Sequence, residues 1–143
     1  MKMKFGTEKM YNPNYSEHVV LWDVILLKNK QDVIIRFLSK NSPLRQGVRL
    51  AIDVGRGSLT IIGIKSKEFV LWEDTAPKEV LCKFESNTGL LSVYNIWEDE
   101  DGEDEQGDFS GMLIENKGNR YIYRCNDYGF GENFDKLIFE IEI

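Results

Sequence analysis

Thirteen residues, Trp97 to Phe109, read WEDEDGEDEQGDF and hold eight carboxylates (Glu98, Asp99, Glu100, Asp101, Glu103, Asp104, Glu105 and Asp108) with no lysine or arginine among them. Carboxylates at this density suit three kinds of chemistry. As hard oxygen ligands they hold calcium, as a spaced pair they cleave glycosidic bonds, and as a field of negative charge they steer a basic partner onto the surface. The local pattern fails as an EF-hand loop, because Trp97 stands two residues before Asp99 where an acid is required, and no suitable glutamate follows Gly102. A calcium cage drawn from several loops, as in C2-type folds, stays open, as does a hydrolytic pair of carboxylates.

Other catalytic chemistry has little to build on. His18 is the single histidine, which excludes a multi-histidine metal site and disfavours Ser-His-Asp and Cys-His arrangements. Cys82 and Cys125 form no C-x-x-C pair and read as reduced, half-buried thiols of a cytoplasmic protein. Asp53-Val-Gly-Arg-Gly-Ser58 lacks the third glycine and the Lys-Ser/Thr pair of a phosphate loop and reads as a tight hairpin turn. The expectation is a chain that does no chemistry and needs no cofactor.

The charge is local. The 143 residues carry a formal charge of −6, but outside positions 98–108 there remain 16 acids against 18 bases, a net of +2. A uniformly acidic mimic of nucleic acid is therefore excluded. Basic residues are scattered without a patch among aromatics, so nucleic acid is not an expected partner. No run approaches the roughly 20 apolar residues of a membrane-spanning helix, and the charged N-terminus lacks the apolar stretch of a signal peptide. No membrane partner is expected.

These residues must be positioned by strands. From Val19 onward, short runs of Val, Ile, Leu, Phe and Tyr are separated by Gly, Asn, Asp and Lys, the punctuation of an all-β domain. Val48, Leu50, Ile52 and Val54 alternate with Arg49, Ala51 and Asp53, as a strand with one buried face demands. The predicted strands are 19–27, 33–38, 48–54, 58–64, 68–72, 80–84, 90–97, 112–115, 120–125 and 136–142. The predicted fold is an antiparallel β-sandwich, jelly-roll or C2-like, of eight to ten strands. It occupies residues 19–143, with residues 1–18 as a loosely ordered arm.

If consecutive strands run antiparallel, their loops fall alternately at the two ends of the domain. Counting from strand 68–72 puts loops 73–79, 98–111 and 126–135 at one end, and counting backward adds the Gly55-Arg56-Gly57 turn. The expected site is an acidic rim of Glu73, Asp74, the eight acids, Asp127 and Asp135, with Glu132 beside them and with Trp72 and Trp97 as aromatic anchors.

Two segments, LWEDTAP at 71–77 and YRCNDYGFGENFDKLIFEIEI at 123–143, with VYNIW at 93–97 between them, resemble a group of small bacterial all-β proteins. The resemblance covers about residues 48–143, and residues 1–47 stand outside it. It implies no enzymatic activity and points to candidate immunity proteins of secreted-toxin systems. The chain departs from the pattern at Tyr128, where glycine is expected after Asn126-Asp127, and in its long acidic run.

The expected function is a non-enzymatic module that binds a basic protein, such as a toxin, through the acidic rim. The alternative is a carbohydrate- or calcium-dependent binding module on a jelly-roll scaffold. Nothing in the sequence decides the oligomeric state.

Overall fold

Alternation of apolar and polar residues dictates the strands. In EVLCKFES, Glu79 to Ser86, every second side chain from Val80 to Ser86 is buried and the intervening ones face outward. That is the period imposed on a pleated chain whose one face meets a core. The computed structural model describes residues 9–15, 18–52, 54–105, 110–127 and 133–143. Among them the chain forms no helix and thirteen strands: β1 (Met10–Tyr11), β2 (Val20–Leu26), β3 (Lys30–Lys40), β4 (Arg45–Ala51), β5 (Gly57–Ile61), β6 (Ile64–Ser66), β7 (Glu68–Trp72), β8 (Glu79–Ser86), β9 (Leu90–Asp99), β10 (Gly102–Glu105), β11 (Gly111–Lys117), β12 (Arg120–Asn126) and β13 (Leu137–Glu142).

The strands form one antiparallel sheet in the order β6-β5-β8-β3-β13-β12-β11-β2-β9-β4-β7, with β1 added to β2 and β10 to β9. The two ends of this path, β6 and β7, are consecutive in sequence and separated by Lys67 alone. Beside that seam the Ile52 N–H donates to the Lys67 carbonyl at 2.9 Å. The sheet therefore curls until it is nearly a closed barrel around a core that includes Val33, Ile35, Leu50, Phe84, Leu137 and Phe139.

The all-β antiparallel expectation holds, but a barrel-like sheet stands where a sandwich was expected. Two stacked layers need a break between them, and β2 removes it. Its first residue pairs with β11 (Val20 with Met112), while Asp23 to Leu26 pair with β9, so both halves share one curved surface. Each of the ten predicted strands has a counterpart; β1, β6 and β10 are additional and short.

The described part of the N-terminal arm is stitched to the barrel. Met10 pairs with Trp22, Tyr11 pairs with Val20, and the buried Asn12 donates from its N–H to the Val19 carbonyl (2.8 Å) and from Nδ2 to the Ser110 carbonyl (2.7 Å). Lys9 places its Nζ 3.2 Å from the carboxylate of Asp23, whose side chain is only 2% exposed. The same carboxylate accepts the Tyr123 hydroxyl at 2.7 Å, and the Tyr123 ring stacks on Phe139 with centroids 4.6 Å apart. A buried charge is tolerated only when paired and hydrogen-bonded, and Lys9 and Tyr123 meet that condition. Burial, followed by the Asp23 charge, pushes the Tyr123 phenol well above its ordinary range.

Candidate functional site

The sequence reading took 98–111 as a loop, yet most of its described part is a hairpin. Asp99 pairs with Gly102, Glu98 with Glu103, Trp97 with Asp104 and Ile96 with Glu105, which leaves Glu100-Asp101 as a two-residue turn. The Asp99 carboxylate accepts the Asp101 N–H at 2.8 Å, the local bond that makes aspartate a turn former. Gly102 closes the turn at φ +114°, where a side chain would be strained. Strand chemistry alone would not choose GEDE, so β10 is held by turn geometry and by the ready-made edge of β9.

The register sorts the acids into two classes. Glu98, Glu103 and Glu105 lie on the outer face of β9 and β10, beside the outer face of β4, where Arg45 and Arg49 stand two pleats apart and reach Glu98 and Glu105. Arg45 hydrogen-bonds Asp74 at 2.9 Å and lies 3.8 Å from Glu98, with its guanidinium 4.4 Å from the Trp72 ring centroid. Arg49 hydrogen-bonds Glu68, approaches Glu105 at 3.7 Å and stands 5.8 Å from the Tyr94 ring. The Glu68 bond raises the Arg49 pKa above its ordinary value. Between the two arginines is Gly47, and a Cβ there would meet the Trp72 ring and the Leu71 carbonyl, each at 2.8 Å. Gly47 is therefore the space into which Trp72 folds, and Arg45 covers the indole from outside.

The second class is the tip. Asp99, Glu100, Asp101, Glu103 and Asp104 form no ion pair among the described residues. Glu98 and Glu103 are direct cross-strand partners of like charge, a destabilising pairing. Asp99 shares a hydrogen bond with Asp104, and this, more than desolvation or the charges of Asp99 and Asp101, raises the Asp104 pKa. Two carboxylates can share a proton more easily than they can both stay ionised.

Several predicted rim residues serve the interior instead. Trp97 is 1% exposed and points into the core from β9, so it cannot anchor a partner. Alternation places it on the inner face with Val93 and Asn95, opposite the buried Gln46 of β4. Asp127 is 4% exposed; its Oδ2 accepts from Ser42 Oγ at 2.9 Å and Gln46 Nε2 at 3.2 Å. Asp135 accepts from Asn41 Nδ2 at 2.8 Å, and Glu73 donates its N–H to the Gln46 carbonyl at 2.9 Å. These polar groups close one end of the barrel. Asp108 lies outside the described residues, as do Asp53, Tyr128, Gly129, Gly131 and Glu132.

Pairings of Trp72 with Gly47 and of Arg45 with Glu98, and the bonds from Asn95 to the Asn126 carbonyl and from Gln46 to Asp127, bring the 73–78 loop, the hairpin and Asn126-Asp127 to one end. The Gly55-Arg56-Gly57 turn is at the other end, where the Arg56 carbonyl accepts the Asn87 N–H at 3.0 Å. The unrecognised hairpin between β5 and β6 supplies the extra reversal. Sequence reading missed Arg45 and Arg49 as counter-charges; their spacing on the wet face of β4 was the available signal.

Cys82 and Cys125 are buried, and desolvation lifts the Cys82 thiol up to about 12 and the Cys125 thiol well above its ordinary value, so neither is a ready nucleophile. Among the described residues no group of three or more His, Cys, Asp and Glu side chains is placed to hold a metal ion. No family model, no curated protein and no solved structure matches this chain.

Proposed function

We propose that this protein is a non-enzymatic binding module that presents the β9–β10 hairpin to a basic protein surface, in the manner of an immunity protein covering the cationic cleft of a toxin. The observation that carries this reading is the split within the acidic run: Glu98 and Glu105 have arginine partners, whereas Asp99, Glu100, Asp101, Glu103 and Asp104 have none among the described residues. Two unit charges 4 Å apart repel by about 1 kcal/mol in water and by more near a protein surface. A cationic partner removes that repulsion and gains from it, and the concentrated field accelerates encounter. Glu98, Glu105 and Asp74 contribute less to this field because Arg45 and Arg49 screen them. Trp72 serves as the buttress of the hairpin's base rather than as a free anchor. On this reading the protein works in the cytoplasm.

The test is to identify by mass spectrometry the protein that co-purifies with the wild type but not with a Glu100→Gln, Asp101→Asn, Glu103→Gln, Asp104→Asn variant, and then to measure its association rate. The rate should fall by about tenfold or more between low and physiological salt, and the variant should lose that dependence. A salt-independent rate, or a partner that binds the variant equally, overturns the reading. A calcium-dependent rise in melting temperature, lost in the same variant, would favour a cation-binding module instead.

A further inference from the structure

A second surface, built from different residues, stands out on the opposite side of the β4–β7 pair from the acidic hairpin. β5 and β6 are joined by Ile62-Gly63, with φ +49° at Ile62 and +74° at Gly63. Left-handed backbone at both central positions suits Asn-Gly or Gly-Gly. In a β-branched residue it is a steric outlier that the surrounding structure must sustain. Ile62 is also 84% exposed, so in the free protein it gains no burial in return. Ile64 (63%) and Leu81 (49%) are exposed beside it.

The same place has an open strand edge. The Phe37 N–H donates to the Lys78 carbonyl and the Ser86 N–H to the Asn29 carbonyl. Alternation of the ladder then points the main-chain groups of Glu79, Leu81, Lys83 and Glu85 away from β3. β5 pairs with Glu85 and Lys83 through Ser58 and Thr60, and there its pairing with β8 ends, because the chain reverses at Ile62-Gly63. Glu79 and Leu81 therefore offer donors and acceptors with no strand beside them among the described residues. The resulting groove has a volume of about 370 Å³ and is lined by Thr60, Ile62, Glu79, Leu81 and Lys83. Its charge is one-sided. Lys65, Thr60 and Lys83 stand in one cross-strand row, and neither lysine forms an ion pair among the described residues, whereas the Glu79 carboxylate is taken by Arg36 at 2.9 Å.

We propose that this groove binds an extended acidic and apolar segment of a partner protein as an added strand. Its main chain pairs with Glu79 and Leu81, its apolar side chains cover Leu81 and Ile62, and a carboxylate meets Lys65 and Lys83. Strand addition draws affinity from main-chain bonds and specificity from alternate side chains. The preference for acidic over basic ligands is opposite to that of the β9–β10 hairpin, so the two surfaces can fail independently.

The test uses the isotopically labelled full chain and a capped hexapeptide, ETVTVT, whose glutamate and valines share one strand face as Lys83 and Leu81 do, followed by amide chemical shifts. Expected shifts concentrate at Glu79, Leu81, Lys83 and Ile62 to Lys65. The peptide with lysine in place of glutamate should bind about tenfold more weakly, given typical electrostatic contributions to an interface. Ile62→Asn is the decisive variant, because asparagine tolerates the left-handed backbone: it should raise the melting temperature while weakening peptide binding about tenfold. Absent shifts at millimolar peptide, shifts elsewhere, equal affinity for the lysine peptide, or unchanged binding by Ile62→Asn overturns the proposal. So does sedimentation with phosphatidylcholine–phosphatidylserine vesicles without peptide binding, which would assign the exposed isoleucines to a membrane surface.

Discussion

The base and the tip of the β9–β10 hairpin are made of the same residue types, a few positions apart, and have opposite electrostatic fates. At the base, Glu98 and Glu105 fall on the face that β4 supplies with Arg45 and Arg49, and two aromatic rings, Trp72 and Tyr94, lie against those guanidinium groups. Beyond Glu98 the strand outruns β4, whose pairing with β9 begins at Arg45 and Glu98, so β4 sets no cation opposite the tip. Strand length and register decide which acids are structural and which are free, not composition. The seven described acids of the run are thus two objects, one holding the sheet end together and one projecting from it.

Breaking the base should have the largest effect. Gly47→Ala places a methyl group against the Trp72 ring and the Leu71 carbonyl, and the backbone atom cannot move aside. Overpacking of this kind costs about 1–3 kcal/mol, measurable as a lower urea midpoint with an unchanged slope. Arg49→Ala should cost less, about 0.5–1 kcal/mol at low salt, because its partners Glu68 and Glu105 are about half exposed and solvent screens the pairing. The loss should shrink as salt is added; a salt-independent loss would mean that packing on Tyr94 outweighs the ion pairs.

The sequence made the strands legible through runs of β-branched and aromatic residues between turn formers, and most clearly where one face is wet and one buried, as in β8. It hid three elements for three different reasons. β10 is GEDE, with no strand propensity, and forms because a two-residue turn returns the chain along the edge of β9. β6 follows a turn whose first residue is isoleucine, a type that gives no turn signal, and missing it sent the Gly55–Gly57 turn to the wrong end. β1 depends on tertiary pairing with Trp22 and Val20 across an otherwise polar arm. Trp97 and Asp127 were misread for a common reason: a residue at a strand end can point inward as readily as outward, and only the register with Gln46 and Asn95 decides it. The barrel was illegible because closure depends on β2 pairing to both sides, which no local pattern encodes.

Neutralising the tip should have a smaller effect, of the opposite sign. The four-residue variant that removes charge from Glu100, Asp101, Glu103 and Asp104 should melt at the same temperature as the wild type or slightly higher, since these side chains have no counter-charge among the described residues to lose. A lower melting temperature would show that the tip contributes to folding and would erase the contrast with the base.

The smallest effect, and the sharpest test of the contrast, is in the titration of single carboxyls. Asp104 has its pKa raised by Asp99, so repulsion at the tip weighs against the fold above the folded pKa and is relieved as pH falls through it toward the ordinary value of 3.8. Glu142 behaves in the opposite way. Its hydrogen bond from Arg36 lowers its pKa from 4.5, so its contribution is present above that value and is lost as pH falls through the lowered one. Carboxyl-detected NMR titration should therefore find Asp104 above its ordinary value and Glu142 below its own. Asp99→Asn should return Asp104 toward 3.8 without moving Glu142. If Asp104 keeps its raised pKa in that variant and also when Asp101→Asn is added, its cause is local desolvation, and the tip is not a cluster of mutually repelling charges waiting for a cation.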